Sequence, residues 1–330
     1  MRIARWCFWI ALAAAGCSAD SGGMGAGSAG GRGDDAGSGA GNGAGSGAGN
    51  GAGGAGGQDD WLGGGDEGGG DGSTESDCIE RAALVYVLSA ENELYSFRPD
   101  RKEFTKIGDL DCPTQMQPNS MAVDRDATAW VNYAEDDDSA GTLFKVSTED
   151  ARCEPTSIAL GPSWSRLGMG FSSDAARPSE EQLFLAAVAD GAQSLGLGRL
   201  DGDVVIPIGP FTGALRGASA ELTGTGDGRL FGFFTTSPIQ HAEIDKATGA
   251  IIDTTPLPDI EVPGAWAFSF WGGDFYFYTA PSLGTNPSRT SNVTRYRPSD
   301  GSVDTAYMTN VGFRIVGAGV STCAPLEPPR

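Results

Sequence analysis

The sequence predicts an all-β fold: a β-propeller of five four-stranded blades closed by the C-terminal strand, with six blades as the alternative. Three observations lead there. First, a short strand motif recurs five times, as Leu94-Tyr95-Ser96-Phe97, Leu143-Phe144-Lys145-Val146, Leu197-Gly198-Arg199-Leu200, His241-Ala242-Glu243-Ile244 and Val293-Thr294-Arg295-Tyr296. Its last residues are 49, 54, 44 and 52 positions apart, and its third position is polar every time. That spacing suits one blade per copy, and that alternation suits half-buried strands. Second, strands of small and apolar residues precede four of the copies, as a crowded ring axis requires. Third, no stretch carries a sustained 3.6-residue period with helix caps.

The elements follow in order. The first repeat opens directly on Ala83-Leu84-Val85-Tyr86-Val87, which reads as a second strand with no inner strand before it. Inner strands are then expected at Ser120–Val123, Leu167–Phe171, Ala218–Leu222 and Trp266–Phe270. Bulkier second strands follow at Ala129–Val131, Leu183–Leu185, Leu230–Phe233 and Phe275–Tyr278, after turns such as Asp227-Gly228 and Gly272-Gly273-Asp274. Such turns suit hairpins because they tolerate positive φ. Fourth strands come after the motif, as at Val204-Val205-Ile206. The chain ends on Ile315–Val320, an inner strand with nothing after it, which is expected to complete the first blade. A β-sandwich or a β-helix is the competing architecture.

Composition divides the chain into three parts. Of 52 glycines, 26 fall between Cys17 and Thr74, so the remainder has a nearly ordinary composition and can bury one core. No Gly-X-Y register runs through the tract, which excludes collagen. The tract (residues 17–76) is expected to be a disordered tether, because it cannot bury enough apolar surface to offset its ordering entropy. A coil of that length spans about 40 Å. A GxGxxG match at Gly25 to Gly30 has no strand before it and no helix after it, so it is not read as a phosphate loop. Residues 77–330 form the folded domain. The signal carries +2 and residues 17–74 carry −7, which leaves −16 of the total −21 on the rest. Such acidity excludes nucleic acid as a partner. A single histidine, His241, argues against multi-His metal sites and His-based catalysis; it stands where other copies have Leu and is read as structural.

Residues 1–16 have the layout of an export signal. Arg2 and Arg5 precede an apolar run from Trp6 to Ala15, too short to span a bilayer. The junction Ala14-Ala15-Gly16-Cys17 resembles the lipobox of bacterial lipoproteins, with Ala14 where that family usually has Leu. The resemblance implies cleavage before Cys17, diacylglycerol on its thiol and acylation of its amine. Several acyl chains anchor a protein stably. Ser18 in place of Asp implies, by the same resemblance, the outer membrane of the bacterial envelope.

Four cysteines remain in the domain: Cys78, Cys112, Cys153 and Cys323. An exported chain keeps disulfides, and no CxxC spacing suggests zinc. Four cysteines allow three pairings. Ring closure selects Cys78–Cys323, which flank the break in the first blade, and leaves Cys112–Cys153 to join neighbouring blades.

The strand pattern resembles the NHL and gluconolactonase-like repeat families, Pro118-Asn119-Ser120-Met121-Ala122-Val123-Asp124 being the best copy. The resemblance implies a ligand site at the channel mouth, near the starts of inner strands. Those positions include Asn119, Arg166, Arg216, Trp266 and Arg314. Converging arginines suit a carboxylate or phosphate. Pairing with nearby acids is the competing reading. Trp164, Trp266 and Trp271 are candidates to stack on sugars or to fill the core. Asp-rich turns such as Asp136-Asp137-Asp138 lack the spacing of a calcium loop. Gluconolactonase-like rings hold a divalent metal on acids and Asn. Asn119 and Glu221 occupy inner-strand positions, but acids from several other blades are missing, so no metal or other cofactor is expected. The expectation is a non-catalytic, lipid-anchored module binding a small anionic or sugar ligand or an envelope protein. A metal-dependent hydrolase or lactonase is the alternative.

Overall fold

The structure, a computed structural model, describes residues 78–188, 193–282 and 290–329. The signal, Cys17 and the tether lie outside the described residues. Five four-stranded antiparallel sheets follow one another, with no α-helix among the described residues. Blade 1 holds β1 (Val85–Ser89), β2 (Glu93–Arg98) and β3 (Glu103–Asp109). Blade 2 holds β4 (Gln117–Val123), β5 (Thr128–Ala134), β6 (Gly141–Ser147) and β7 (Cys153–Leu160). Blade 3 holds β8 (Leu167–Asp174), β9 (Arg177–Ala187), β10 (Leu197–Asp201) and β11 (Val204–Gly209). Blade 4 holds β12 (Ala220–Gly224), β13 (Leu230–Phe234), β14 (Ile239–Ile244) and β15 (Ile251–Leu257). Blade 5 holds β16 (Ala265–Trp271), β17 (Asp274–Ala280), β18 (Asn292–Arg297) and β19 (Ser302–Met308). The last strand, β20 (Ile315–Val320), is the inner strand of blade 1.

The inner strands touch in the cyclic order β20, β4, β8, β12, β16 and back to β20, so the sheets form a closed five-bladed propeller. Closure is the expected one: β20 pairs antiparallel with β1, Val85 opposite Val320 and Val87 opposite Ala318. Cys78 is bonded to Cys323 beside this seam, with Cα atoms 5.8 Å apart. Cys112, after the outer strand of blade 1, is bonded to Cys153, which opens the outer strand of blade 2.

Small residues at the axis have a direct cause. A Cβ on Gly168 of β8 would lie 1.9 Å from the Ala220 carbonyl oxygen, and one on Gly224 of β12 would lie 2.1 Å from the Phe171 carbonyl oxygen. The inner strands thus meet backbone to backbone.

The core sits between blades, which explains why second strands are apolar on both faces. Val85 and Val87 of β1 pack toward blade 5, with Tyr276 and Tyr278, whereas Tyr86 and Leu88 pack toward blade 2, with Met121 and Val131. Likewise Phe275 and Phe277 of β17 face blade 4. Fully burying each such side chain contributes about 1.5–3 kcal/mol. In the recurring motif the first and last residues are buried in all five copies, and the polar third residue is exposed or half-buried.

Two strands depart from expectation. β12 begins at Ala220 rather than Ala218, because a 3-10 turn over Gly213–Leu215 and Gly217 at φ +76° occupy the approach. β9 is eleven residues long, so the β8–β9 hairpin overhangs the ring.

Candidate functional site

Neighbouring inner strands run in one direction, since Gly168 and Gly170 meet successive residues of β12 in ascending order. Their first residues therefore surround one mouth of the channel and their last residues the other. At the first mouth lies a cavity of about 460 Å³. It is bordered by Asn119 of β4, Arg166 before β8, Glu221 of β12 and Trp266 of β16. Its size is in the range of small-molecule sites.

Asn119 and Arg166 are held by blade 2. The Asn119 amide donates to Asn132 Oδ1 at 2.9 Å and to the Leu167 carbonyl at 2.8 Å. Asn132 is fully buried and in turn donates to the Ser165 carbonyl at 3.1 Å, while its Oδ1 accepts from the Leu167 N–H. It knits blades 2 and 3 beneath the cavity, and sequence reasoning missed it. A lone polar residue on an apolar second strand was the available signal. Arg166 pairs through Nε with Asp138, donates from Nη2 to the Glu135 carbonyl at 3.2 Å, and places Nη1 3.5 Å from Asn119 Oδ1.

Glu221 is buried at the cavity floor, 2% exposed. Its carboxyl accepts from Ser120 Oγ at 2.8 Å and from the Met169 N–H, so it ties three inner strands together. Burial pushes it well above the ordinary carboxylate range, against those two hydrogen bonds. Burial thus disfavours its ionised form.

The remaining candidates are placed elsewhere. Arg216 is exposed on the turn before Gly217, and Arg314 turns to the Pro281 carbonyl at 2.9 Å; neither borders the cavity. Of the three arginines, only Arg166 reaches it, already paired with an acid. Trp271 is buried in the seam between blades 5 and 1, donating to the Ala83 carbonyl at 2.8 Å. Trp164 packs between blades 2 and 3. Trp266 is half-buried, packed on the core between blades 4 and 5 with one edge on the cavity. Asp124, in another Asp-rich stretch, accepts from the Asp126 and Thr128 N–H groups and from Trp130 Nε1, which makes it a turn residue. Among the described residues no group of three or more His, Cys, Asp or Glu is arranged to hold a metal.

The opposite mouth is crossed by the overhanging β8–β9 hairpin. Glu181 accepts from the Arg125 N–H at 2.7 Å and from Thr322 Oγ1 at 2.8 Å, joining blades 3, 2 and 1. Burial pushes Glu181 up to about 7.

His241 is not half-buried but almost wholly buried, 7% exposed. It lies among Phe231, Phe268, Phe275, Phe277 and Tyr296, and its Nε2 has no hydrogen-bond partner. Burial pushes it down to about 3. The folded protein keeps His241 neutral where the unfolded chain takes up a proton, near pH 6.5. Stability attached to this group is present above pH 6.5 and is lost as pH falls toward 3. Glu181 has the opposite sign: its proton stays bound in the fold up to about pH 7, so its contribution weakens as pH rises from 4.5 to 7. A His241→Leu variant isolates the first effect, Leu being the residue at the matching position of three other blades. Urea unfolding at pH 7.5 and pH 5 is expected to show a stability difference about 2 kcal/mol smaller in acid-induced loss than wild type. An unchanged pH dependence contradicts the assignment.

No family model matches the sequence, and no curated protein matches it. Solved structures do resemble the fold. One is a protein of unknown function from Bacteroides caccae, 11% identical, covering 72% of this chain and 97% of its own, with a TM-score of 0.39. Another is a calcium-binding protein, regucalcin, from Agrobacterium tumefaciens, 14% identical over 73% of this chain and 75% of its own, TM-score 0.37. A third, of unknown function, is from Bacteroides thetaiotaomicron, 13% identical over 68% and 58%, TM-score 0.39. Likeness at this level carries no argument about activity.

Proposed function

We infer that this chain is a lipid-anchored protein of the bacterial envelope whose propeller binds a small ligand at its channel mouth without transforming it. The observation that carries this reading is the cavity at the starts of the inner strands, lined by Asn119, Arg166 and Glu221 together with apolar residues. Anchoring rests on the lipobox-like Gly16-Cys17 junction.

Two measurements test the reading. A Cys17→Ser variant is expected to move from the membrane pellet to the soluble fraction and to lose incorporated palmitate; retention of both contradicts anchoring. A thermal-shift panel of sugars, organic acids and phosphates is expected to contain a stabilising ligand. Saturation at a hundred times the dissociation constant stabilises by about 2.7 kcal/mol. A panel without any stabilising compound contradicts the binding reading. Metal analysis of the purified protein separates the alternative, since one equivalent of bound divalent ion favours a metal-dependent hydrolase or lactonase.

A further inference from the structure

We propose that the channel-mouth cavity takes a small carboxylate with an apolar body, its head group lying between Arg166 and the buried carboxyl of Glu221. The inference rests on the reading that this cavity binds a ligand. Arg166 and Glu221 are the two ionisable side chains on its wall among the described residues. Arg166 Nη1 is 3.5 Å from Oδ1 of Asn119, which borders the cavity beside it, and Glu221 accepts from the buried Ser120 Oγ at 2.8 Å. Pro118, Val188, Val262, Pro263, Ala265 and Val316 supply apolar lining. One charged end and apolar flanks match an amphipathic anion better than a sugar, which presents hydroxyls on every side.

Charge decides the sign of the head group. Burial disfavours the ionised form of Glu221, and Arg166 supplies the positive charge on the cavity wall. A protonated carboxyl donates a hydrogen bond to a carboxylate oxygen, whereas an ionised one repels it. Arg166 uses N–H groups on Asp138, the Glu135 carbonyl and Asn119, and the rest of the guanidinium can turn to a ligand. Planar guanidinium–carboxylate pairing then fixes orientation. Asp138 is not on the cavity wall and is partly exposed, so it offsets the Arg166 charge without occupying the site. Removing that offset should tighten carboxylate binding, an effect no purely structural role for Arg166 produces.

Calorimetric titration of the full-length protein at pH 7 with hexanoate and with hexanamide, its uncharged counterpart, tests this. Hexanoate is expected to bind at least tenfold tighter than hexanamide. Arg166→Gln should erase that preference, and Asp138→Asn should tighten hexanoate severalfold. Hexanamide bound as tightly as hexanoate overturns the carboxylate proposal while leaving a ligand-binding cavity in place. Asp138→Asn binding hexanoate no better than wild type overturns it too. Heat from neither probe overturns the proposal, and the binding reading is then decided by the thermal-shift panel.

Discussion

The double variant Cys78→Ser/Cys323→Ser unfolds at a temperature roughly 10 °C lower than wild type, a loss of about 4–5 kcal/mol. The bond joins positions separated by 245 residues, so nearly all of the folded domain lies within its loop. In the chain-entropy model the denatured ensemble loses most freedom when the closed loop is longest. A second reason is structural. β1 and β20 come from opposite ends of the ring's sequence, and the bond fixes the ends of that pair. The Cys112–Cys153 bond closes a separation of 41 residues and is expected to contribute about 1.6 kcal/mol less. Calorimetry of the two double variants checks the ranking. A larger loss from Cys112→Ser/Cys153→Ser contradicts it.

Replacing Gly168 by Ala costs about 3 kcal/mol, the upper end of what overpacking usually costs. The added Cβ meets the Ala220 carbonyl oxygen at 1.9 Å and Glu221 Cα at 2.7 Å. These are backbone atoms of β12, which cannot retreat because β13 pairs with it and β16 packs beside it. The same displacement moves Glu221, so the cavity floor is expected to loosen along with the fold. Gly161→Ala is the control: nothing lies within 4 Å of its Cβ position, and it should change stability by less than about 0.5 kcal/mol. Denaturant unfolding that finds the two substitutions equal contradicts backbone contact at the axis.

The ring itself was legible because its physics repeats. Each copy of the motif needs the same buried positions, and each inner strand needs the same small residues, so five degenerate signals reinforce one another. Closure was legible because a missing strand at one end and a surplus strand at the other have one simple solution. The candidate site was less legible, because it does not repeat. Asn119, Arg166 and Trp266 border the cavity at the starts of the inner strands. Arg216 and Arg314 share that position by alignment, yet turn conformation and a neighbouring carbonyl take them away from the cavity. Asn132 works through contacts with Asn119 and residues 165–167, which no local pattern announces. The overhang of β9 was hidden for a similar reason: Pro178 to Gln182 is polar and reads as a turn, but it extends the hairpin across the far mouth. His241 shows the limit from the other side. Its position in the motif marked it as structural, while the depth of its burial depended on aromatic residues from the neighbouring blade.

A five-bladed ring whose C-terminal strand completes the first blade brings Cys78 and Cys323 together. Mass mapping of peptides from the unreduced protein reads that pairing. Cys78 linked to Cys323 and Cys112 linked to Cys153 is the predicted result. A Cys78–Cys112 or Cys78–Cys153 link would place the chain ends apart and contradict the closed ring.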